Sequence, residues 1–211
     1  RLQLDENTLV IWTSDNGAPQ RKPPQGSNAP YKGWGYSTSE GAMRMPMITR
    51  WPGRVSANRE CRELCSMLDI LPTLAALTGA ALPKQAIDGH DIRPLLFGEA
   101  KAKSPADARS FFYYHMDQLQ AVRSGPWKLY LPLESKLTGG AAKRSTATLN
   151  LFNVVEDVGE MNEVSAMNTD IVQRLLKLAD QARNELGDVN RPGKGQRPAG
   201  ISAKPTARIK E

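Results

Sequence analysis

The chain has 211 residues, 40% of them hydrophobic and 24% charged, which is typical of a globular protein and excludes wholesale disorder. Its longest apolar stretches, residues 9–13 and 70–81, are shorter than the roughly 20 residues of a membrane-spanning helix, so we expect no transmembrane segment. Residues 191–211 hold six basic residues and one acid and so carry +5 of the net charge of +6. We expect no nucleic-acid partner, since such recognition needs a basic face on a folded element, and we expect this Pro- and Gly-rich tail to be a solvated extension.

A buried strand is the first predicted element. Residues 8–13 (TLVIWT) are β-branched or apolar almost throughout, which is typical of a strand buried on both faces of a parallel or mixed sheet. Ser14, Asp15, Asn16 and Gly17 follow, and these residue types end strands and form turns. The pattern therefore places two short oxygen-bearing side chains at the carboxyl end of a strand, where open α/β sheets hold ligands.

Asp15 and Asn16 have the chemistry of metal ligands. A carboxylate and an amide oxygen are hard ligands, which Ca²⁺ and Mg²⁺ prefer. Calcium takes about six to eight oxygens, so a complete site needs ligands from elsewhere in the fold. An Asp-Asn pair before glycine is also a common turn, and the residues alone leave both interpretations open.

The next segments alternate between loops and short elements. Residues 18–45 show no steady period, and a loop of that length is usually functional or disordered. Residues 47–51 predict a second strand, and the apolar spacing predicts a helix over residues 69–77 that ends at Gly79. Residues 80–103 predict a loop.

The pattern changes after Pro105 to short aromatic and β-branched runs. Residues 111–115, 120–123 and 127–131 predict strands, the last two joined as an antiparallel hairpin. A further strand is predicted over residues 149–153, and residues 170–186 have the spacing of an amphipathic helix.

This change of pattern places a domain boundary near Ala106. We therefore predict an α/β domain over residues 1–106 and a small subdomain of antiparallel sheet plus helix over residues 107–190. The basic tail occupies residues 191–211.

Several of these segments resemble the sequence of one protein family. Residues 7–17 (NTLVIWTSDNG) resemble the strand and metal-binding turn of the sulfatase (arylsulfatase) family. The other segments that resemble this family follow in chain order: residues 39–46 with 51–53, 67–79, 87–91 with 95–96, 120–131, 151–160 and 191–200. Seven motifs in register are much stronger than any one of them, and together they cover nearly the whole chain.

The resemblance implies part of an alkaline-phosphatase-like mixed sheet, followed by the small C-terminal subdomain. It also implies a sulfuric ester hydrolase with one bound Ca²⁺, for which Asp15 and Asn16 are the ligands by matched position. The family's nucleophile is a formylglycine made from a Cys or Ser in a C/S-x-P-x-R motif. Neither Cys61 nor Cys65 lies in such a motif, and no serine does. The resemblance therefore implies that no catalytic residue is present here, that the formylglycine belongs to a missing N-terminal part, and that this fragment alone is inactive.

A second departure concerns a lysine that binds the sulfate in the family. With Glu40 aligned, the matching position here is Gly35. Lys32, three residues earlier, is the candidate substrate-binding residue, because an ammonium on a four-carbon stem acts as a point charge over a range of positions. The alternative for Lys32 is a solvated loop lysine.

Other notable side chains favour structural roles. Cys61 and Cys65 would share a face as small buried residues if their segment is helical. Glu40 is expected to form a local ion pair with Arg44, four residues on, rather than to act as an acid or base.

The tryptophans divide into two groups. Trp12, Trp51 and Trp127 fall on strand-like runs and are predicted to lie in the core. Trp34, in the polar loop, is the aromatic residue that could line a cleft.

Two alternatives to a sulfatase remain open at this stage. A phosphoester hydrolase of the same superfamily would need additional histidine ligands, and the sequence has only His90 and His115, which without partners favour structural roles. A non-catalytic relative that binds sulfated glycans through the basic tail is suggested by Gly35. The resemblance implies a small-molecule or glycan sulfate ester as substrate and a periplasmic or secreted location.

Overall fold

The computed structural model describes residues 2–105, 110–133, 148–189 and 191–198. Their helices and strands, in chain order, are β1 (Val10–Thr13), α1 (Glu40–Met43), β2 (Met47–Arg50), α2 (Ile70–Thr78), α3 (Arg93–Phe97), β3 (Phe111–His115), β4 (Gln118–Ser124), β5 (Trp127–Tyr130), β6 (Asn150–Asn153), α4 (Thr169–Leu186), β7 (Gly187–Asp188) and β8 (Arg191–Pro192). Among these, no helix is both long enough and apolar enough to cross a bilayer. The predicted boundary near Ala106 lies outside the described residues.

The first strand forms a two-stranded antiparallel sheet. β1 pairs with β2 so that Val10 lies opposite Arg50 and Thr13 opposite Met47. Trp12 is 57% exposed, so the predictions that this strand is buried on both faces and that Trp12 lies in the core are wrong for the described residues. The reason is that no described helix makes extensive contact with β1, so the faces of the strand are left partly open.

Helix α2 confirms the periodicity read from the sequence, and a polar clamp holds its start. The Asp69 carboxylate accepts hydrogen bonds from the backbone amides of Ser66 and His90, at 2.7 and 2.9 Å. The helix ends at Gly79, whose φ of +73° is a conformation that glycine adopts readily. Part of the predicted loop that follows is instead helical, because α3 has a proline in its first turn and a left-handed glycine at its end.

The C-terminal strands form an antiparallel sheet in the order β3-β4-β5-β6, and the pairing of β4 with β5 confirms the predicted hairpin. Helix α4 covers one face with its apolar stripe, and Leu175 at the centre of this core is fully buried. Because side chains alternate along a strand, Leu129 joins that core while its neighbours Lys128 and Tyr130 project from the opposite face. That second face packs against the N-terminal part of the chain.

Two other predictions are corrected. Cys61 is exposed, Cys65 is half-buried, and their segment is not helical, so they do not share a buried helix face. The start of the tail is largely exposed, but it is attached to the fold rather than a simple extension, because β8 pairs with β7 and the Arg197 guanidinium binds the Asp88 carboxylate. Residues 199–211 lie outside the described residues.

Candidate functional site

The turn after β1 presents two oxygen-bearing side chains. The Ser14 hydroxyl donates to the Asn16 carbonyl at 3.0 Å, and the Asn16 amide nitrogen donates to the Gly17 carbonyl at 2.8 Å. Asp15 is exposed and Asn16 half-buried. Within the described part of the chain, no donor binds the Asp15 carboxylate or the Asn16 side-chain oxygen, so both are available as ligands.

Helix α1 lies directly against this turn. The Gly17 amide donates to the Ala42 carbonyl at 2.9 Å. A Cβ on Gly17 would lie 1.9 Å from the Gly41 carbonyl oxygen, so only glycine permits this approach. The turn that carries Asp15 and Asn16 is therefore seated on the backbone of α1.

Gly35 completes the close packing around the turn. Its amide donates to the Ala18 carbonyl at 2.9 Å, and a Cβ here would lie 2.4 Å from the Gly17 carbonyl oxygen. The backbone at the position where the resemblance expects a lysine thus has no room for a side chain. The close packing of this loop therefore requires the glycine that replaces the family lysine at position 35.

A buried ion cluster fixes α1 to the second face of the C-terminal sheet. The Lys128 ammonium lies 2.8 Å from the Glu40 carboxylate and donates to the Thr38 carbonyl at 2.8 Å. Arg123 lies 3.5 Å from the other Glu40 oxygen, and the Tyr113 hydroxyl donates to Glu40 at 3.2 Å. Glu40 is 1% exposed and Lys128 is 0% exposed.

Strand register explains why this acid is needed. Arg123 lies directly opposite Lys128 in the β4–β5 pair, and like charges in that position repel. The Glu40 carboxylate inserts between them, since one oxygen faces Lys128 and the other faces Arg123. The predicted ion pair between Glu40 and Arg44 is confirmed at 3.9 Å, but it is longer than the contacts that Glu40 makes with the sheet.

Glu160 forms the second acidic wall of the cluster. Its carboxylate lies 3.9 Å from the Lys128 ammonium and accepts hydrogen bonds from the Tyr130 hydroxyl and the Glu40 amide. Within the described residues every buried side-chain nitrogen and oxygen has a partner, as buried polar groups require. The cluster joins segments that are 88 and 120 residues apart in sequence.

The electrostatics favour an ionised Glu40. Burial opposes its charge, yet the attraction of Lys128 and the hydrogen bond from it, with Arg123 and Arg44, hold the pKa of Glu40 below its ordinary value. Burial lowers the pKa of Lys128, opposed by Glu40 and Glu160. The ion pair is the form that the geometry supports, because the Lys128 ammonium lies 2.8 Å from both the Glu40 carboxylate and the Thr38 carbonyl and also lies over the ring of Tyr113. Burial, and then the Glu40 charge, raise the pKa of Tyr113, so its hydroxyl remains a donor.

The lowered pKa of Glu40 predicts acid lability. The unfolded chain protonates this carboxyl near pH 4.5, whereas the folded chain does so only at a lower pH, so the stabilisation is lost as the pH falls through that window. Glu40→Gln should therefore flatten the loss of stability below about pH 4.5 relative to the unsubstituted chain. Urea midpoints measured from pH 7 to pH 3 test this. Parallel curves for the two proteins would contradict it, since other carboxylates contribute equally to both.

Lys32 lies at a cleft between the loop and the sheet. Its ammonium donates to the Glu160 carbonyl at 2.8 Å and lies 5.5 Å from the centre of the Phe152 ring. The cleft has a volume of about 180 Å³. Its other polar and aromatic lining residues include Thr38, Gln120, Tyr130 and Asn150.

The structure brings together some of the predicted residues and separates others. Asp15 and Asn16 share one turn, whereas the Lys32 ammonium is held by Glu160. His90 lies 3.7 Å from Asp69 at the start of α2. Among the described residues, no group of three or more His, Cys, Asp or Glu side chains is gathered as a metal site.

Sequence reasoning missed Lys128, Arg123 and Glu160. The hairpin prediction could have found the first two, because a two-residue turn after Ser124 places Arg123 opposite Lys128 across the strands. Two cations that face each other on neighbouring strands imply a counter-ion from another segment. No local sequence pattern indicates that Glu160 lies beside these two cations.

The fold and the ordered turn, helix and sheet define a sulfatase-type, alkaline-phosphatase-like α/β protein. Residues 34–185 match the family described as N-sulphoglucosamine sulphohydrolase, C-terminal, and the chain belongs to the sulfatases. Sulfatases generally carry a metal ion and a formylglycine.

Individual proteins show the extent of the similarity. Human arylsulfatase A is 34% identical over 195 residues, which cover 84% of this chain and 38% of that protein. N-acetylgalactosamine-6-sulfatase of Canis lupus familiaris is 32% identical over 210 residues, which cover 88% and 39%. A structure solved in work on the metabolism of multiple glycosaminoglycans by Bacteroides thetaiotaomicron has a TM-score of 0.71 at 28% identity, over 86% of this chain and 40% of that one. The chain thus spans about two fifths of the length of these relatives.

Proposed function

We propose that this chain is the C-terminal portion of a calcium-dependent sulfuric ester hydrolase. In this proposal Asp15 and Asn16 ligate the calcium ion, and residues 18–45 form one wall of the substrate cleft. The observation that carries it is the turn after β1, where two ligand oxygens free of hydrogen-bond donors among the described residues are fixed on α1. Membership of the sulfatase family supports this assignment.

The donor set fits a hard cation, because a carboxylate and an amide oxygen suit calcium. Two side chains are a partial site, and the remaining ligands would come from outside the described residues. When bound, the cation would supply Lewis-acid stabilisation of charge on the sulfate oxygens. The turn itself contributes position, since Gly17 and α1 fix where Asp15 and Asn16 point. The formylglycine nucleophile would lie outside this chain, so we expect no turnover by the chain alone.

The substrate class in this proposal is a sulfate ester of a sugar. The names of two similar proteins support it, one an N-acetylgalactosamine-6-sulfatase and the other from work on glycosaminoglycan metabolism. The cleft beside Lys32 has a mixed polar and aromatic lining, which suits a saccharide unit. An ammonium has three N–H donors, so Lys32 can bind Glu160 and still donate to an anion or a hydroxyl.

Substitution of Lys32 tests this wall of the cleft. In the complete polypeptide, Lys32→Met should raise KM for a sugar sulfate about tenfold, corresponding to about 1.4 kcal/mol of lost binding, while an aryl sulfate is affected less. Lys22→Met is the matched control, because Lys22 is an exposed lysine of the same loop. Equal effects of the two substitutions, or no effect of Lys32→Met, would contradict the assignment of Lys32.

The reaction class is tested with the polypeptide encoded by the complete gene. We expect hydrolysis of an aryl sulfate that is lost on chelation of calcium and restored by its addition, with much slower hydrolysis of the matching aryl phosphate. A preference for the phosphate would instead support the phosphoester hydrolase. A complete gene without a C/S-x-P-x-R motif would remove the catalytic part of the proposal.

A second candidate is a non-catalytic protein that binds sulfated glycans, and Gly35 favours it. The family lysine cannot occupy that position without a shift of the backbone. Binding of sulfated glycans without turnover of any sulfate ester would support this candidate. The family resemblance also leads us to propose a periplasmic or secreted location, which cell fractionation tests.

A further inference from the structure

We propose that Glu40 and Lys128 are positioning residues for the metal-binding turn, so that the C-terminal sheet sets the placement of Asp15 and Asn16 through α1. This inference rests on the proposed function in one respect, the calcium ligation by that turn. The mechanical link itself is independent of any metal. Neither Glu40 nor Lys128 is proposed to touch the substrate.

The first step of the link runs from the sheet to α1. Glu40 is the first residue of α1, and its carboxylate is bound by Lys128 and Arg123 on the second face of the sheet. Lys128 also binds the carbonyl of Thr38, two residues before the helix. These contacts leave the start of α1 little freedom to slide, because Lys128 is fully buried between its acceptors.

The second step runs from α1 to the turn. The Ala42 carbonyl accepts the Gly17 amide, and the Gly41 backbone lies against Gly17 with no space for a Cβ. A shift of α1 therefore moves or releases the turn that holds Asp15 and Asn16. Helix α1 thus connects Asp15 with Lys128, although the two residues are far apart in the sequence.

The β1–β2 pairing is a competing way to hold the turn, since Thr13 lies opposite Met47. If that pairing alone suffices, loss of the buried ion pair destabilises the C-terminal subdomain and leaves the turn in place. The two possibilities differ in the expected hydrogen exchange of the Gly17 amide. The acceptor of this amide, the Ala42 carbonyl, belongs to α1 and not to the strand pair.

The experiment compares variants of the complete polypeptide under conditions where near-ultraviolet circular dichroism shows each to be folded. The variants are Glu40→Gln, Lys128→Met and the milder Tyr113→Phe, which removes one hydrogen bond to Glu40. Leu175→Ala is the matched control, because it destabilises the same subdomain from the α4 face of the sheet. Two quantities are measured: hydrogen exchange of the Gly17 amide without metal, and calcium affinity by calorimetry.

We expect Glu40→Gln and Lys128→Met to speed exchange of the Gly17 amide and to weaken calcium binding by about 10- to 100-fold, the range typical of residues that orient metal ligands. Tyr113→Phe should change the exchange rate and the calcium affinity in the same direction but by less. Leu175→Ala should change neither the exchange rate nor the calcium affinity. Unchanged exchange in the Glu40 and Lys128 variants, or an equal change in Leu175→Ala, would overturn the proposal. If exchange changes as expected but the unsubstituted polypeptide binds no calcium, the positioning link stands and the proposed metal role fails.

Discussion

Asp15→Ala should lower the calcium affinity of the complete polypeptide by about 100-fold or more and abolish calcium-dependent hydrolysis of sulfate esters. Substitution of residues that merely orient metal ligands lowers metal affinity by about 10- to 100-fold. Loss of a charged ligand should lower the affinity at least as much. Asn16→Ala removes a neutral oxygen, so its effect should be smaller. Calorimetric titration with calcium measures both.

The control for this prediction is Asp117→Ala. Asp117 is also an exposed aspartate in a turn, between β3 and β4, and it lies on the C-terminal sheet rather than beside α1. It removes the same charge from the protein without touching the proposed site. Unchanged calcium uptake after substitution of both Asp15 and Asn16 would remove the metal assignment, whatever the effect on activity.

Much of the secondary structure was predictable because it depends on local periodicity. Helix α4 has a polar and an apolar face, and β4 and β5 contain short apolar and aromatic runs on either side of a Gly-Pro turn. The turn at Asp15 and Asn16 was predictable for a similar reason, since its residue types end a strand. These features need no knowledge of distant segments.

The errors concern what covers each element. The pattern of β1 is that of a strand covered on both faces, but no described helix makes extensive contact with β1, and Trp12 is largely exposed. Cys61 and Cys65 have helical spacing, yet the segment that contains them is irregular. Burial depends on tertiary neighbours, which a local pattern does not specify.

The buried ion cluster was beyond local reasoning for a related cause. Glu40 has a suitable partner four residues away in Arg44, and the i, i+4 rule selects it. The closer partner, Lys128, is 88 residues distant. Only the cross-strand pairing of Arg123 with Lys128 gave a hint that an acid was required between them.

Lys128→Met should destabilise the C-terminal subdomain by about 3–5 kcal/mol, the usual result of removing one partner of a buried ion pair. The methionine side chain is about as large as the lysine side chain that it replaces, so we do not expect a cavity to be the dominant effect. The substitution removes the cation that Glu40 and Glu160 share and leaves Glu40 with the longer contacts to Arg123 at 3.5 Å and Arg44 at 3.9 Å, in surroundings where an unbalanced charge is poorly solvated. Urea unfolding of the complete polypeptide measures the loss.

A double substitution separates the ion pair from simple packing. Glu40→Gln in the Lys128→Met background removes the uncompensated carboxylate, so we expect it to recover part of the lost stability even though each single substitution is destabilising. That non-additivity follows from the contact of 2.8 Å between the two groups. Additive losses would show that the two charges stabilise the fold independently, and the account of Glu40 as the counter-ion between two facing cations would then be wrong.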